Sequence, residues 1–170
     1  MSKLIVIRGP SGAGKSTVAA ELHKRCPNPA LLINEDKIRF MFNNWQEPAH
    51  TASKQLATAM ILQGLKSGFD VIYEGISNVK TYDKYFRQIL DSHENDNYFF
   101  YLDVSFDESL KRHETRPEKS KFGAEEMSKW RDYASLAGYA DETIIPESSS
   151  LEDTINLIQK ITKLTTNSSE

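Results

Sequence analysis

The sequence predicts an α/β fold in which a parallel sheet is covered on both faces by helices. Three observations lead there. Short apolar runs rich in β-branched residues alternate with segments of helical period along the whole chain. A glycine-rich stretch, GPSGAGKST at 9–17, falls between the first such run and the first helix. The 170 residues suffice for one compact domain with a sizeable core and leave no room for a second.

The run LIVIR at 4–8 is a buried strand, and the glycine stretch leads into a helix over 15–25 that Pro27 and Pro29 end. ALLIN at 30–34 is the second strand. EDKIRFMFNNW, 35–45, reads as a helix whose acidic first turn suits the macrodipole. Residues 50–67 repeat their apolar positions at helical spacing and stop at Gly68. DVIYEG at 70–75 is the third strand, followed by a helix over 79–93. NYFFYLDVS at 97–105 is the fourth strand, and FDESLKRHETR at 106–116 a helix with an acidic start and a basic end. Residues 122–138 are helical again, and ETIIPE at 142–147 is the fifth strand. SLEDTINLIQKITKL at 150–164 is the last helix, capped by Ser150 with Asp153 three residues on. The expected organisation is a single domain over 1–164 with a frayed polar tail at 165–170.

Composition excludes several classes of function. A formal net charge of −3 does not suit bulk adhesion to nucleic acid or anionic membrane, which runs on a Lys/Arg surplus. The single cysteine, Cys26, excludes an internal disulfide and a thiolate zinc site, and its place at the end of the first helix suits a half-buried small residue. His23, His50 and His93 lack metal-ligand spacing, and His113 is expected to face solvent. The apolar run at 4–7 is too short for a signal peptide, and no stretch approaches the ~20 apolar residues of a membrane span. The expectation is a cytoplasmic protein without a membrane partner. The sequence carries no signal for oligomeric state.

The stretch Gly9, Pro10, Ser11, Gly12, Ala13, Gly14, Lys15, Ser16 matches G-x-x-x-x-G-K-[ST], the Walker A pattern, and Thr17 follows it into the helix. Glycines let the backbone curl so that successive N–H groups point at a phosphate, and the helix start adds partial positive charge. Lys15 would bridge the β- and γ-phosphates, and the Ser16 hydroxyl would join a Mg²⁺ shell. The D-x-x-G and N-K-x-D strings of a GTPase switch do not occur. A motor or transporter ATPase would be longer, with an apolar run ending in Asp or Asp-Glu opposite the loop.

Acceptor-site chemistry lies downstream. Asp36 and Arg39 follow the second strand three residues apart, so they share a helical face. Asp36 could take the proton of an acceptor hydroxyl, and Arg39 could fix an anionic or polar part of it. Glu74 ends an otherwise apolar strand and could hold Mg²⁺ through water or orient the acceptor. Arg112 and Arg116 lie at i and i+4, and Pro117 with the polar residues after it suits a movable loop. A lid over 112–124 would bring positive charge to the transferred phosphoryl group and exclude water. Trp45, Trp130 and Tyr133 are candidates to line an acceptor pocket.

The order of these features resembles the P-loop kinases: GPSGAGKS, D-x-x-R after strand two, an acid ending strand three, and R-x-x-x-R after strand four. The pattern is most similar to the branch holding polynucleotide 5′-kinases, zeta-toxins and small-molecule phosphotransferases such as chloramphenicol and gluconate kinases. The resemblance implies a three-layer P-loop NTPase fold with a five-stranded parallel sheet in the order 2-3-1-4-5. It also implies ATP as donor, Mg²⁺, and an acceptor hydroxyl deprotonated by Asp36. The adenine would lie near the lid helix and the loop at Pro146 to Ser149. Glu74 stands where polynucleotide kinases commonly carry Asp, and a strongly basic channel is lacking, so a small acceptor is favoured over a nucleic-acid end. The reading is an ATP-dependent kinase for a hydroxyl of a sugar, nucleoside, nucleotide-sugar or antibiotic. Its alternatives are a 5′-hydroxyl polynucleotide kinase and a nucleotide-binding interaction protein without acceptor chemistry.

Overall fold

Strand β1 (Leu4–Arg8) is the centre of the molecule, buried over its whole length. In a pleated strand alternate side chains leave on opposite faces, and here each face meets its own core. Ile5 and Ile7 join a cluster with Val18, Leu22, Ile155 and Ile158, under helices α1 (Lys15–Lys24) and α7 (Leu151–Thr162). Leu4 and Val6 join Ile61, Leu65, Phe86 and Ile89, under α3 (Ala49–Lys66) and α4 (Val79–Ser92). A strand covered on both faces reads as a continuous apolar run, which is why LIVIR shows no alternation.

The computed structural model describes residues 2–43, 49–94, 96–115, 123–131 and 142–164. Its five strands, β1, β2 (Ala30–Asn34), β3 (Asp70–Gly75), β4 (Asn97–Asp103) and β5 (Thr143–Pro146), form one parallel sheet in the order β2-β3-β1-β4-β5. This is the order that the resemblance implied. The register sets Glu74 beside Ile7 on one side and Asn34 on the other. The carboxyl ends of β1, β2 and β3 therefore finish level, at the edge where ligands of open α/β sheets bind. Helices α5 (Phe106–Glu114) and α6 (Ala124–Arg131) lie between β4 and β5 in sequence. Among the described residues, no helix is long and apolar enough to cross a membrane.

Most expected elements form within a residue or two of their expected bounds, and Gly68 and Ser150 end and cap their helices as anticipated. The helix over 35–45 is an exception. Helix α2 covers only Glu35–Arg39, and the next turns close through i→i+3 bonds from Met41 to Ile38 and from Phe42 to Arg39. The cause is the run Phe40-Met41-Phe42: three consecutive apolar residues cannot all face the sheet from a helix. Ile38 and Phe42 pack against the core while Phe40 and Met41 stand exposed. The structure shows α6 over 124–131 of the expected helix at 122–138. The tail at 165–170 and residues 116–122 of the expected lid lie outside the described residues.

Candidate active site

The phosphate loop leaves β1 at Gly9 and enters α1 at Lys15. Gly12 and Gly14 both sit in the left-handed region, with φ of +84° and +96°. At Gly12 a side chain is excluded by space as well, because a Cβ would lie 2.7 Å from the Ser109 carbonyl. Helix α1 has no side-chain cap and no acidic residue in its first turn. Its first N–H groups and its dipole thus favour an anion. Ser16 and Thr17 are exposed there. Lys15 is buried, and its ammonium donates to the Pro10 carbonyl at 2.9 Å, folding the side chain back across the loop.

Glu74 anchors the other side of this loop. Its Oε1 accepts from the Ser16 hydroxyl at 2.9 Å and from the Asn34 amide. Burial pushes the Glu74 carboxyl up, Lys15 and Ser16 pull it down, and the charges of Asp36 and Glu35 push it up again. These six residues from α1, β2, α2 and β3 therefore meet at one sheet edge. Asn34 does two tasks: its Oδ1 caps α2 by accepting from the Lys37 N–H, while its Nδ2 reaches Glu74. Nothing in the sequence pattern singles out Asn34, because its second partner is 40 residues away.

Asp36 and Arg39, expected to share a helical face, pair with each other at 2.7 Å, and Asp36 is exposed. The Arg39 guanidinium also lies over the Phe40 ring, 5.1 Å from its centroid. Behind this exposed pair is a buried polar cluster that sequence reading missed. The Glu35 carboxylate accepts from the hydroxyls of Tyr73, Ser77 and Tyr82. Burial, with the Glu35 charge adding to it, pushes both phenols upward, so they remain protonated donors. Arg8, fully buried at the end of β1, donates twice to the Ser77 carbonyl and pairs with Glu142 at 2.6 Å. The one sequence signal for it is a charge closing an otherwise apolar run.

Arg112, expected on the lid, stands on α5. Its guanidinium donates to the Ala13 carbonyl at 3.1 Å, to the Glu147 carbonyl at 3.2 Å and to Glu108 at 2.8 Å. It thereby walls a cavity of about 540 Å³ between the phosphate loop and the turn after β5, lined also by Thr17, Val18, Pro146 and Ser149. This is the size range of small-molecule sites, and it coincides with the region expected for the nucleobase. The Glu147 carboxylate accepts from the Ser105 N–H at 2.8 Å, which holds it below the usual carboxylate range. Arg116, Trp45 and Tyr133 lie outside the described residues. Trp130 is half-buried on α6 and does not line this cavity.

Two further expectations concern single residues. His113 was expected to face solvent, but it is buried, because α5 turns Ser109 and His113, four residues apart, to the same inward face. Cys26 is half-buried as expected, and burial pushes its thiol up to about 11. A thiol so shifted is a poor nucleophile.

The sequence profile of the AAA domain family matches residues 4–146. The chain belongs to that family. No curated protein matches this AAA-domain chain by sequence. Solved structures resemble its fold. A sugar kinase from Janibacter sp. HTCC2649 superposes with a TM-score of 0.75 at 13% identity, covering 98% of this chain and 100% of its own. A gluconokinase from Sinorhizobium meliloti 1021 gives 0.67 at 15% identity, covering 95% of this chain and 94% of its own. The Mycobacterium tuberculosis APS kinase, solved with AMPPNP and APS, gives 0.75 at 15% identity, covering 95% and 98%. The AAA-domain chain thus has the fold of P-loop kinases.

Proposed function

We propose that the protein is an ATP-dependent kinase that transfers the γ-phosphate to a hydroxyl group of a small molecule in the cytoplasm. The observation that carries this reading is the meeting of Ser16 and Glu74 at 2.9 Å, with Asp36 exposed beside them at the same sheet edge. The kinases sharing the fold support it. In this reading the loop N–H groups from Gly9 to Thr17 and the Lys15 ammonium hold the phosphates of ATP. The base enters the cavity walled by Arg112 and Pro146.

The donor set of Ser16 hydroxyl and Glu74 carboxylate consists of hard oxygens, which fits Mg²⁺. Among the described residues no group of three or more His, Cys, Asp or Glu forms a complete cage, so Ser16 and Glu74 would share Mg²⁺ with phosphates and water. Bound there, it would neutralise charge on the β- and γ-phosphates. Asp36 accepts the proton of the acceptor hydroxyl as its oxygen bonds to the γ-phosphorus and the bond to ADP breaks. Arg39 fixes a polar or anionic part of the acceptor. Arg112 walls the base cavity, and Arg116 is proposed to supply positive charge to the transferred phosphoryl group. Catalysis is then positioning and electrostatics, as phosphoryl transfer requires.

The test is transfer of radiolabelled γ-phosphate from ATP to a panel of gluconate, glucose, uridine, chloramphenicol and a 5′-hydroxyl oligonucleotide. Labelling of a small hydroxyl compound that Asp36→Asn abolishes supports the reading. Labelling of the oligonucleotide alone replaces it with 5′-end phosphorylation. Slow hydrolysis without any labelled acceptor, unchanged in Asp36→Asn, leaves a nucleotide-binding interaction protein.

A further inference from the structure

Helix α2 has only five residues, yet it carries Asp36. A helix this short cannot hold its own orientation, because one turn fixes several dihedral angles for very few hydrogen bonds. The placement of Asp36 must therefore come from contacts to the rest of the fold. Asp36 does not supply them, being exposed and, among the described residues, paired across its own turn with Arg39. The Ile38 side chain gives one anchor in the core, and the Asn34 cap gives another.

The third anchor is Glu35. Its Oε2 lies 3.1 Å from the Ser77 hydroxyl and 3.3 Å from the Tyr73 hydroxyl, and Oε1 takes the Tyr82 hydroxyl. Tyr73, Ser77 and Tyr82 are themselves 1%, 1% and 6% exposed, so the donors are fixed in the core. A carboxylate is an acceptor-only group with room for all three. The fold makes space for it. A Cβ at Gly75 would lie 2.8 Å from the Glu35 Cβ and press on its carboxylate, so glycine leaves Glu35 its place at the end of β3. Ser77 adopts a left-handed φ of +48°, and the two bonds from Arg8 to its carbonyl hold it there.

We propose that Glu35 is a positioning residue: clamped by Tyr73, Ser77 and Tyr82, it fixes the short α2 turn and so sets Asp36 at the acceptor edge. In this role Glu35 acts through the placement of Asp36 rather than on nucleotide or acceptor. The part that names Asp36 as base rests on the kinase reading above, whereas the clamp itself does not. The clamp explains why a strand end, a strained serine and two buried phenols converge on one side chain.

The experiment compares wild type, Glu35→Gln and Tyr82→Phe by amide hydrogen exchange and by kinetics on the five-acceptor panel. Glutamine offers one acceptor oxygen in place of two, and Tyr82→Phe removes one donor while keeping the ring in the core. Expected for Glu35→Gln is faster exchange at residues 36–40 with β1 and β3 protection retained. kcat for the labelled acceptor falls at least tenfold while KM for ATP stays unchanged. Tyr82→Phe moves the same readouts in the same direction by less, and stands in if Glu35→Gln does not fold. Unchanged exchange at 36–40, or protection lost equally from β1 and β3, overturns the proposal. So does an unchanged kcat. If wild type labels no acceptor, the kinase reading fails, and the exchange data alone decide the clamp.

Discussion

The Ser16 hydroxyl donates to the Glu74 carboxylate at 2.9 Å, joining the head of α1 to the end of β3. One bond thus links the loop that would hold the phosphates to the strand that opens the acceptor side. Glu74 is 4% exposed, so its charge is held in place by Lys15, Ser16 and Asn34.

This arrangement sets function against stability at Glu74. Burial raises its carboxyl above the ordinary 4.5, so folding favours the protonated form. The stabilising contribution is full below 4.5 and is lost as pH rises through the raised value. Glu74→Gln, neutral at every pH, should melt above wild type near neutral pH, and the gain should shrink toward 4.5. The same variant should lose magnesium-dependent nucleotide affinity. Melting temperature against pH, beside calorimetric titration with MgATP, checks both, and a Glu74→Gln protein less stable near neutral pH contradicts the first.

Asp36→Asn separates chemistry from folding. The Asp36–Arg39 pair is exposed, and such pairs contribute under about 1 kcal/mol, so the melting temperature should hardly move. Loss of a general base should lower kcat by roughly 10²–10⁴, with ATP affinity unchanged. A kcat equal to wild type would remove Asp36 from the mechanism.

Arg112→Ala distinguishes a base pocket from a phosphate lid. It removes the bonds to the Ala13 and Glu147 carbonyls that wall the cavity. A charged hydrogen bond contributes about 1.5–3 kcal/mol, which corresponds to a rise in KM for ATP of roughly tenfold or more. The expected result is a KM effect larger than the kcat effect. A collapse of kcat at constant KM would place Arg112 on the transferred phosphoryl group.

Arg8→Met tests the buried pair with Glu142. Removing one partner strands a buried charge and should cost about 3–5 kcal/mol in urea unfolding. Arg8→Met combined with Glu142→Leu should recover much of that loss, since two apolar side chains leave no orphaned charge. Additive losses in the double variant would contradict the assignment.

What the sequence made legible follows from how local each feature is. The phosphate loop and the strands β2 and β3 rest on consecutive residues, and their bounds match. Asp36 and Arg39 meet because three residues on a helix fix their approach. The Glu35 clamp depends on partners 38, 42 and 47 positions away, which only the sheet register brings together. Arg112 was read from its spacing to Arg116, but its partner carbonyl at Ala13 is 99 residues distant. The chain leaves the α2 helix after Arg39 because the core has room for only part of the apolar run at 40–42, which local spacing does not show.

The strand order has an evolutionary consequence. In the proposed reading, the acceptor side, from β2 through α4, is one uninterrupted stretch of chain at 30–92, while the cavity assigned to the base is built from the segments before and after it. A lineage could therefore exchange that stretch and acquire a new substrate, provided the graft returned a carboxylate at Glu74 to meet Ser16. Arg8 spans the boundary, bonding Ser77 within that stretch and Glu142 beyond it, as Ser16 does by bonding Glu74.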